Sequence, residues 1–418
     1  MKTWDVVIVG GGAASMVLAY ALANKGYRIA VMDKALYPTS PVRGEIIQPN
    51  GLKVLDELGF LSPLLEESLH RNYQFHFYKS NGISLCTIDY QTLPEPYNYS
   101  LILLPGVLQK VLMKKWLITP NIEIFWGATF QSVIWNHEKV VGVEAEYQGK
   151  TIPFYAPMVV GGDGVHSNVR TALKIEHQLH TYSDGYLTMV VERPSGFKSD
   201  SKYYLGNRTI LGAFPISKDK LYLFYMISTS AVGRFQSRGV AALKKELLSL
   251  NKEVRTLLEK PFQALSSWDD ISFMPCHRVK CQRWVTHGGA LIGDAAHAMN
   301  PHAAQGRNTA LEDGVVLAKV IENCFKKKGD FSQVALAEYE DIRRPRVDYL
   351  QHIADELTWL WNTGWPPLIW ARNHAFRTLH QNHALRDKWL ATLTGVNIQP
   401  FTFYDRFRSL LPVWQKKK

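Results

Sequence analysis

The sequence predicts an α/β protein: a Rossmann-like nucleotide-binding domain, an inserted mixed β-sheet and a C-terminal helical segment. Three observations carry this. A short β-branched run, Val6–Val9, passes through a glycine turn at Gly10 and Gly12 into an apolar helix. Strand-like stretches fill residues 73–103 and 178–280, and between and after them the strand–glycine pattern returns. Beyond residue 350 the strand pattern stops, and six of the twelve tryptophans fall there. The expected division is a discontinuous nucleotide domain (1–72, 105–177 and 281–350), a substrate domain (73–104 and 178–280) and a helical cap (351–418).

Taken in order, Val6–Val9 has the uninterrupted apolar character of a strand covered on both faces. Gly10 and Gly12 permit a tight turn and let a pyrophosphate approach the backbone. The following helix points its free N–H groups and positive dipole end at the same place. A second strand over 28–32 ends at Asp33, about 20 residues on, where a carboxylate accepts from ribose hydroxyls. Ser15 replaces the third glycine of G-x-G-x-x-G, whose role is close helix–strand packing. The uncharged run 6–23 behind Lys2 also resembles a signal peptide or a membrane span. Three consecutive glycines and the acidic Asp5 argue against both.

A chain of 418 residues, 46% hydrophobic and 20% charged, is globular and has room for two or three domains. Cys86, Cys276, Cys281 and Cys324 form no C-x-x-C pair and no zinc set, so they read as buried reduced thiols of a cytoplasmic protein, and no metal is expected. The net charge of +11 suits anionic ligands or an anionic membrane surface. No zinc finger or recognition-helix pattern points to nucleic acid.

Residues 34–45 form a Pro-containing loop whose Arg43 suits an anion beside a cofactor. Gln48-Pro49-Asn50-Gly51 leads into an amphipathic helix over 52–58. Asn81-Gly82 is a hairpin turn. A helix over 107–116 and antiparallel strands within 122–154 deliver the chain to Gly161-Gly162-Asp163-Gly164. Strands at 187–192, 209–214 and 221–227, with one helix near 240–250, form the insert. It is not needed to hold a cofactor and is therefore the candidate for substrate contact. Its Tyr203 and Tyr204 either reach the substrate or pack in the core or at the surface. A strand at 290–292, a turn at Gly293-Asp294 and a helix over 306–323 repeat the opening pattern.

Three glycine–aspartate constellations thus end apolar strands: Gly10-x-Gly12 with Asp33, Gly161-Gly162-Asp163-Gly164 running on to Ser167 and Arg170, and Gly293-Asp294-Ala295-Ala296-His297 followed by Pro301 and Gln305-Gly306-Arg307-Asn308. Their spacing resembles the single-component FAD-dependent monooxygenases with the p-hydroxybenzoate hydroxylase fold. The second stretch is similar to that family's G-A-D-G-x-x-S-x-V-R motif, with Gly162 for alanine. The third is similar to G-D-A-A-H-x-x-x-P-x-x-G-Q-G-x-N, with Ala304 for a glycine. Tyr339-Glu340-Asp341-Ile342-Arg343-Arg344-Pro345 also looks familial. The segment from Arg43 to Gly51 is similar to the squalene epoxidase and polyprenylphenol hydroxylase branch. Pro105 departs from the family's R-x-x-L pattern, and Gln109 is a candidate replacement.

The resemblance implies roles. Gly10, Gly12, Ala13 and Ala14 would line the FAD pyrophosphate. Asp33, with Lys34 beside it, would meet the adenosine ribose. Arg43 would approach the flavin, and Asp294 would hold the ribityl chain and pyrophosphate. Gly306 and the backbone N–H groups of Arg307 and Asn308 would face the pyrimidine edge, where a helix N-terminus stabilises developing negative charge. Asp163 and Arg170 are implied in cofactor or NAD(P)H contacts. The implied reaction is reduction of FAD by transiently bound NAD(P)H, then oxygen transfer from a flavin C4a-hydroperoxide to an apolar aromatic or isoprenoid-type molecule, by hydroxylation or epoxidation. No protein nucleophile is needed. His302, beside Pro301, is the candidate catalytic side chain, whereas His297 reads as part of its turn. Trp359, Trp361, Trp365 and Trp370, with Arg372 and Arg377, either cap the core or touch a membrane surface. Alternatives on the same fold are a halogenase, an oxidase, a geranylgeranyl-type reductase or a non-catalytic flavin carrier. No W-x-W-x-I-P segment of the halogenase type is present.

Overall fold

The computed structural model describes residues 3–37, 45–67, 70–396 and 398–411. Its centre is a six-stranded sheet. Val6–Val9 pairs in parallel with Ile29–Asp33 on one side and Met158–Gly161 on the other. Ile122–Trp126 and Gly289–Leu291 extend the sheet in parallel, and Val285–Thr286 closes one edge antiparallel. All four residues of Val6–Val9 are buried, as expected of a strand covered on both faces. The run 6–23 is therefore this central strand and the first helix, Ala13–Ala23.

That helix packs along Gly306–Lys326. A Cβ at Gly314 would lie 2.8 Å from the Ala14 carbonyl oxygen, so the two backbones meet only where a side chain is missing. A seven-stranded mixed sheet stands apart from the first. Its order is Ser272–Cys281, His177–Glu192, Lys220–Ser228, Ile210–Pro215, Ser201–Leu205, Gln74–Lys79 and Ser84–Asp89. The hairpin at Asn81-Gly82 joins the last two strands, with Gly82 at φ +90°. Three helices, Thr229–Arg238, Val240–Leu248 and Lys252–Leu258, cover one face of this sheet, where the sequence pattern suggested one. The shortest, Lys252–Leu258, has seven residues, too few for a periodic signal to stand out.

The helix Gln333–Trp361 runs from the first sheet to the second. It stops at Asn362, and the next helix opens on Pro366, where a missing N–H costs nothing. Pro366–Gln381, His383–Thr394 and Phe403–Leu410 complete a helical cap. The cap packs on the inner face of the seven-stranded sheet, sharing a core that includes Phe77, Trp361, Phe376 and Trp389. All four cysteines are buried and unpaired. Among the described residues no His/Cys/Asp/Glu group could hold a metal, and no helix is long and apolar enough to cross a membrane.

Candidate active site

The turns at 10–12, 162–164 and 293–294 follow neighbouring parallel strands and open on one side of the sheet, where open α/β sheets take ligands. Gly10 has φ +97°, and a Cβ there would sit 2.5 Å from the Gly162 carbonyl oxygen. Only glycine fits. Asp33 closes the turn's other lip: Oδ2 accepts from the Gly11 N–H at 2.6 Å and Oδ1 from the Ala35 N–H at 2.9 Å. Lys34 beside it is exposed.

Two helices, Ala13–Ala23 and Gly306–Lys326, begin here without a capping side chain. Both helices turn their positive dipole ends toward the cleft. A Cβ on Gly293 would lie 3.6 Å from that of Ala14 and 3.3 Å from that of Ala310, so both helix starts border one cleft. Two uncapped N-termini, an open glycine turn and a carboxylate at the end of the second strand are what the pyrophosphate and ribose of FAD require. The residues present fit that cofactor.

The sequence-predicted residues divide by how their side chains are engaged. Gly12 and Asp294 are exposed on the cleft, Ala13, Gly306 and Arg307 are half-buried, and Ala14 is buried. Arg43 lies outside the described residues. Asp163 uses both carboxylate oxygens locally: Oδ1 accepts from Ser167 Oγ, and Oδ2 from the N–H groups of Asn168 (2.8 Å) and Val169 (3.1 Å). Arg170 is buried and donates to the carbonyls of Ala295 (2.8 Å) and Val165 (3.0 Å), bolting the second turn to the third. The Asn308 side chain is equally committed. It accepts from the Gln48 N–H at 3.0 Å and donates to the carbonyls of Ile46 (3.1 Å) and Ala304 (2.8 Å). Gln305 likewise bonds Asn50 and the Leu393 carbonyl, so the 48–50 segment and the cap both hold the start of this helix.

Two of the departures from the family's motifs, Ser15 for glycine and Gly162 for alanine, touch each other. Ser15 is fully buried, and a Cβ on Gly162 would lie 2.3 Å from its Oγ. Serine is tolerated in the first turn because the second turn has no side chain there. Ala304, the third departure, takes the left-handed conformation at φ +50°, the conformation that a glycine adopts without strain.

His297 is held in a buried network away from the cleft. Its Nε2 lies 2.6 Å from Asp313 Oδ2, which also accepts from the Gly293 N–H at 3.0 Å. Asp313 Oδ1 accepts from Arg343 Nε at 2.8 Å. Burial raises the Asp313 pKa, but His297 and Arg343 together outweigh it and bring it down to about 2. The familial-looking 339–345 segment is thus a clasp. Arg343 binds Asp313, Tyr339 donates to the Leu291 carbonyl at 3.2 Å, and Glu340 accepts from the Trp284 N–H at 2.7 Å.

Beside Pro301, Ala304 and Arg307 lies a cavity of about 160 Å³, roofed by the seven-stranded sheet. That is room for about one aromatic ring. Tyr203, Phe214, Phe224 and Trp361 form its apolar walls, and His302 sits at its base. Tyr204, next along the strand, points to the other face and donates to Glu253 at 3.0 Å. The polar atoms at the base form a chain. Asn362 Nδ2 donates to Asp184 Oδ2 at 3.0 Å, so Asn362 Oδ1 faces His302 Nε2 at 2.8 Å and must accept from it. His302 Nδ1 is then the acceptor for the Tyr186 hydroxyl at 2.5 Å. Burial lowers the His302 pKa to about 4, which keeps the ring neutral near pH 7. Tyr186, Asn362, Asp184 and Trp361 were not marked as site residues by the sequence. Asp184 and Tyr186 sit more than 100 positions from His302, and no local motif flags any of the four.

Residues 3–353 match the family model described as an FAD binding domain. Among curated relatives, 6-methylpretetramide 4-monooxygenase of Streptomyces rimosus is 27% identical, covering 82% of this chain and 81% of that protein. Squalene monooxygenase 1,2 of Brassica napus is 24% identical, covering 96% and 78%. Among solved structures, p-nitrophenol 4-monooxygenase of Pseudomonas putida superposes with a TM-score of 0.78 at 20% identity over 95% of this chain and 100% of that one. PqsL of Pseudomonas aeruginosa, in complex with 2-aminobenzoylacetate, gives 0.76 at 20% identity over 86% and 97%. The chain belongs to the FAD-binding-domain family and is an FAD-dependent monooxygenase of the aromatic hydroxylase type.

Proposed function

We propose that this enzyme uses NAD(P)H and O2 to hydroxylate an apolar aromatic molecule that carries a hydroxyl or comparable donor on its ring. FAD, when bound, would supply the redox and oxygen-activating chemistry. The chain's residues bind, orient and exclude water. The observation that carries the substrate reading is the Tyr186–His302 pair at the base of an aromatic-walled cavity. Because Tyr186 donates to His302, its oxygen accepts on the cavity side, and a ring hydroxyl is the matching donor. Alkene epoxidation gives such an acceptor no partner.

The pair orients the hydroxyl and leaves its proton in place. Full transfer from a phenol of pKa ~10 to a His302 of about 4 would cost ~8 kcal/mol. His302, the catalytic candidate from the sequence, therefore acts as a positioning residue through Tyr186. The pyrophosphate and ribose contacts assigned to Gly10, Gly12, Ala13, Ala14, Asp33, Lys34 and Asp294, and the flavin contacts of Gly306, Arg307 and Asn308, belong to the same proposal. They rest on the glycine turns and the two uncapped helices. The three-part division of the chain belongs to it too: residues 74–89 and 177–281 supply the strands of the seven-stranded sheet, whereas Ser100–Leu103 pairs with Glu45–Ile47 and Arg71–Asn72 of the first part. Turnover of a phenol panel with NADH or NADPH under 18O2 tests it. A hydroxylated product carrying one labelled atom is expected, and reductant oxidation yielding only hydrogen peroxide across the panel contradicts it.

The cap also supports contact with an anionic membrane surface. Trp359, Trp365, Trp370, Phe403, Tyr404 and Phe407 are exposed on it, and residues 351–418 hold nine Lys/Arg against four Asp/Glu. Aromatic side chains beside basic charge suit the bilayer interface. Cosedimentation with anionic but not zwitterionic vesicles, reduced by Trp370→Ser with Phe403→Ser, is the expected result. Equal recovery with both lipids contradicts it.

A further inference from the structure

A second cavity, of about 90 Å³, lies inside the helical cap between Gln333–Trp361, Pro366–Gln381, His383–Thr394 and Phe403–Leu410. Its lining comes from residues 353–409, almost wholly beyond the stretch that matches the family model. The walls are apolar: Leu357, Leu360, Phe376, Leu379 and Trp389. Two arginines also border it, and both are occupied. Arg372 donates to the carbonyls of Trp361 (3.0 Å) and Gly206 (3.1 Å), and Arg406 is paired with Glu356.

Trp361 lines both this cavity and the ring-sized one beside the flavin turn. On one side its ring lies 5.5 Å from His302 and 6.0 Å from Tyr203, and on the other 5.7 Å from Phe376. One indole therefore separates the two spaces. It is the last residue of its helix, followed by Asn362, whose side chain belongs to the His302 network.

We propose that the cap cavity is a second substrate compartment, taking an unbranched or prenyl-type apolar chain attached to the ring, with Trp361 as the partition the chain displaces. The substrate class is then an alkyl- or prenyl-substituted phenol, not a bare ring. This rests on the reading of the first cavity as the ring site. A polar substituent is disfavoured, because the cavity wall offers it no free partner that outweighs its desolvation.

The test measures dissociation constants of phenol and its 4-ethyl, 4-butyl, 4-hexyl and 4-octyl homologues on the FAD-loaded enzyme, read from the flavin absorbance change. Each methylene buried from water tightens binding about threefold to fourfold. The expected result is a fall in Kd of at least about 100-fold from phenol to the longest homologue that fits, then a plateau. Ala375→Phe fills the cap cavity from its half-buried wall and should collapse the ratio of octylphenol to phenol affinity by at least about tenfold. Leu379→Phe, a smaller fill of the same cavity, repeats the measurement should Ala375→Phe fail to fold. Binding of phenol with no tightening beyond the ethyl homologue, or an affinity ratio unchanged in both variants, overturns the second compartment and leaves the ring site standing. No flavin perturbation by any homologue overturns both.

Discussion

Ser15 and Gly162 show how two unfavourable residues make one acceptable contact. Ser15 stands where the motif has glycine and Gly162 where it has alanine, and each is explained by the other, since a Cβ on Gly162 would lie 2.3 Å from Ser15 Oγ. Gly162→Ala should cost about 1–3 kcal/mol through overpacking. Ser15→Gly should recover most of that loss in the double variant, as a coupling in a double-mutant cycle of urea unfolding. Simple additivity contradicts the contact. His302 gives a second prediction at this scale. Its folded pKa of about 4 lies below the unfolded value of about 6.5. The unfolded chain thus takes up a proton as pH falls through that window while the folded one does not. Stability is lost from pH 6.5 down to 4, by at most about 3 kcal/mol, and that slope should vanish in His302→Gln. The same residue should leave no inflection near pH 6.5 in kcat/KM, and one removed by His302→Gln would contradict a purely positioning role. At this scale the sequence was readable where chemistry is local. Gly10, Asp33 and the 293–294 turn announce themselves through their neighbours. The Asp184–Asn362–His302–Tyr186 chain does not, because its members come from the inserted sheet, the end of a cap helix and the flavin turn.

Among elements, the helices Gly306–Lys326 and Gln333–Trp361 hold the third turn in place. Asp313 sits fully buried between His297 and Arg343 and also fixes the Gly293 N–H. Removing Asp313 leaves the Gly293 N–H and His297 Nε2 without their acceptor and Arg343 with Glu312 as its remaining carboxylate. Asp313→Ala should cost about 3–5 kcal/mol in chemical denaturation and weaken FAD retention, because the turn loses its anchor. Unfolding and FAD affinity both within error of wild type would contradict this. Strands were legible where the run is apolar throughout, as in Val6–Val9, or long, as in Lys220–Ser228. The helices at 229–238 and 252–258 were missed: the second is only about two turns, and Gly239 after the first and Asn251 before the second also read as loop residues. The committed side chains of Asp163 and Asn308 were hidden for a related reason. Motif spacing locates a residue at a site, but what its oxygen accepts depends on where Val169 or Gln48 returns in space.

For the whole molecule, the cap links the start of the Gly306–Lys326 helix to the aromatic-walled cavity. Gln305 donates to the Leu393 carbonyl at 2.6 Å, Trp361 forms a wall of the ring cavity, and Asn362 bonds His302 at its base. The sequence marked this region as helical and tryptophan-rich. It left the choice between core packing and surface contact open, because Trp361 and Trp389 are buried while Trp359, Trp365 and Trp370 are exposed, and spacing alone does not sort them. The central claim is that these parts assemble one oxygen-transferring site for a ring hydroxyl. Mass spectrometry of the product formed from an alkylphenol, NADPH and 18O2 by the FAD-loaded enzyme tests it most directly. The account predicts a catechol- or hydroquinone-type product heavier by one 18O atom, with yield falling at least tenfold in Tyr186→Phe. Product oxygen drawn from water, or reductant consumed with every oxygen equivalent recovered as hydrogen peroxide, would contradict it.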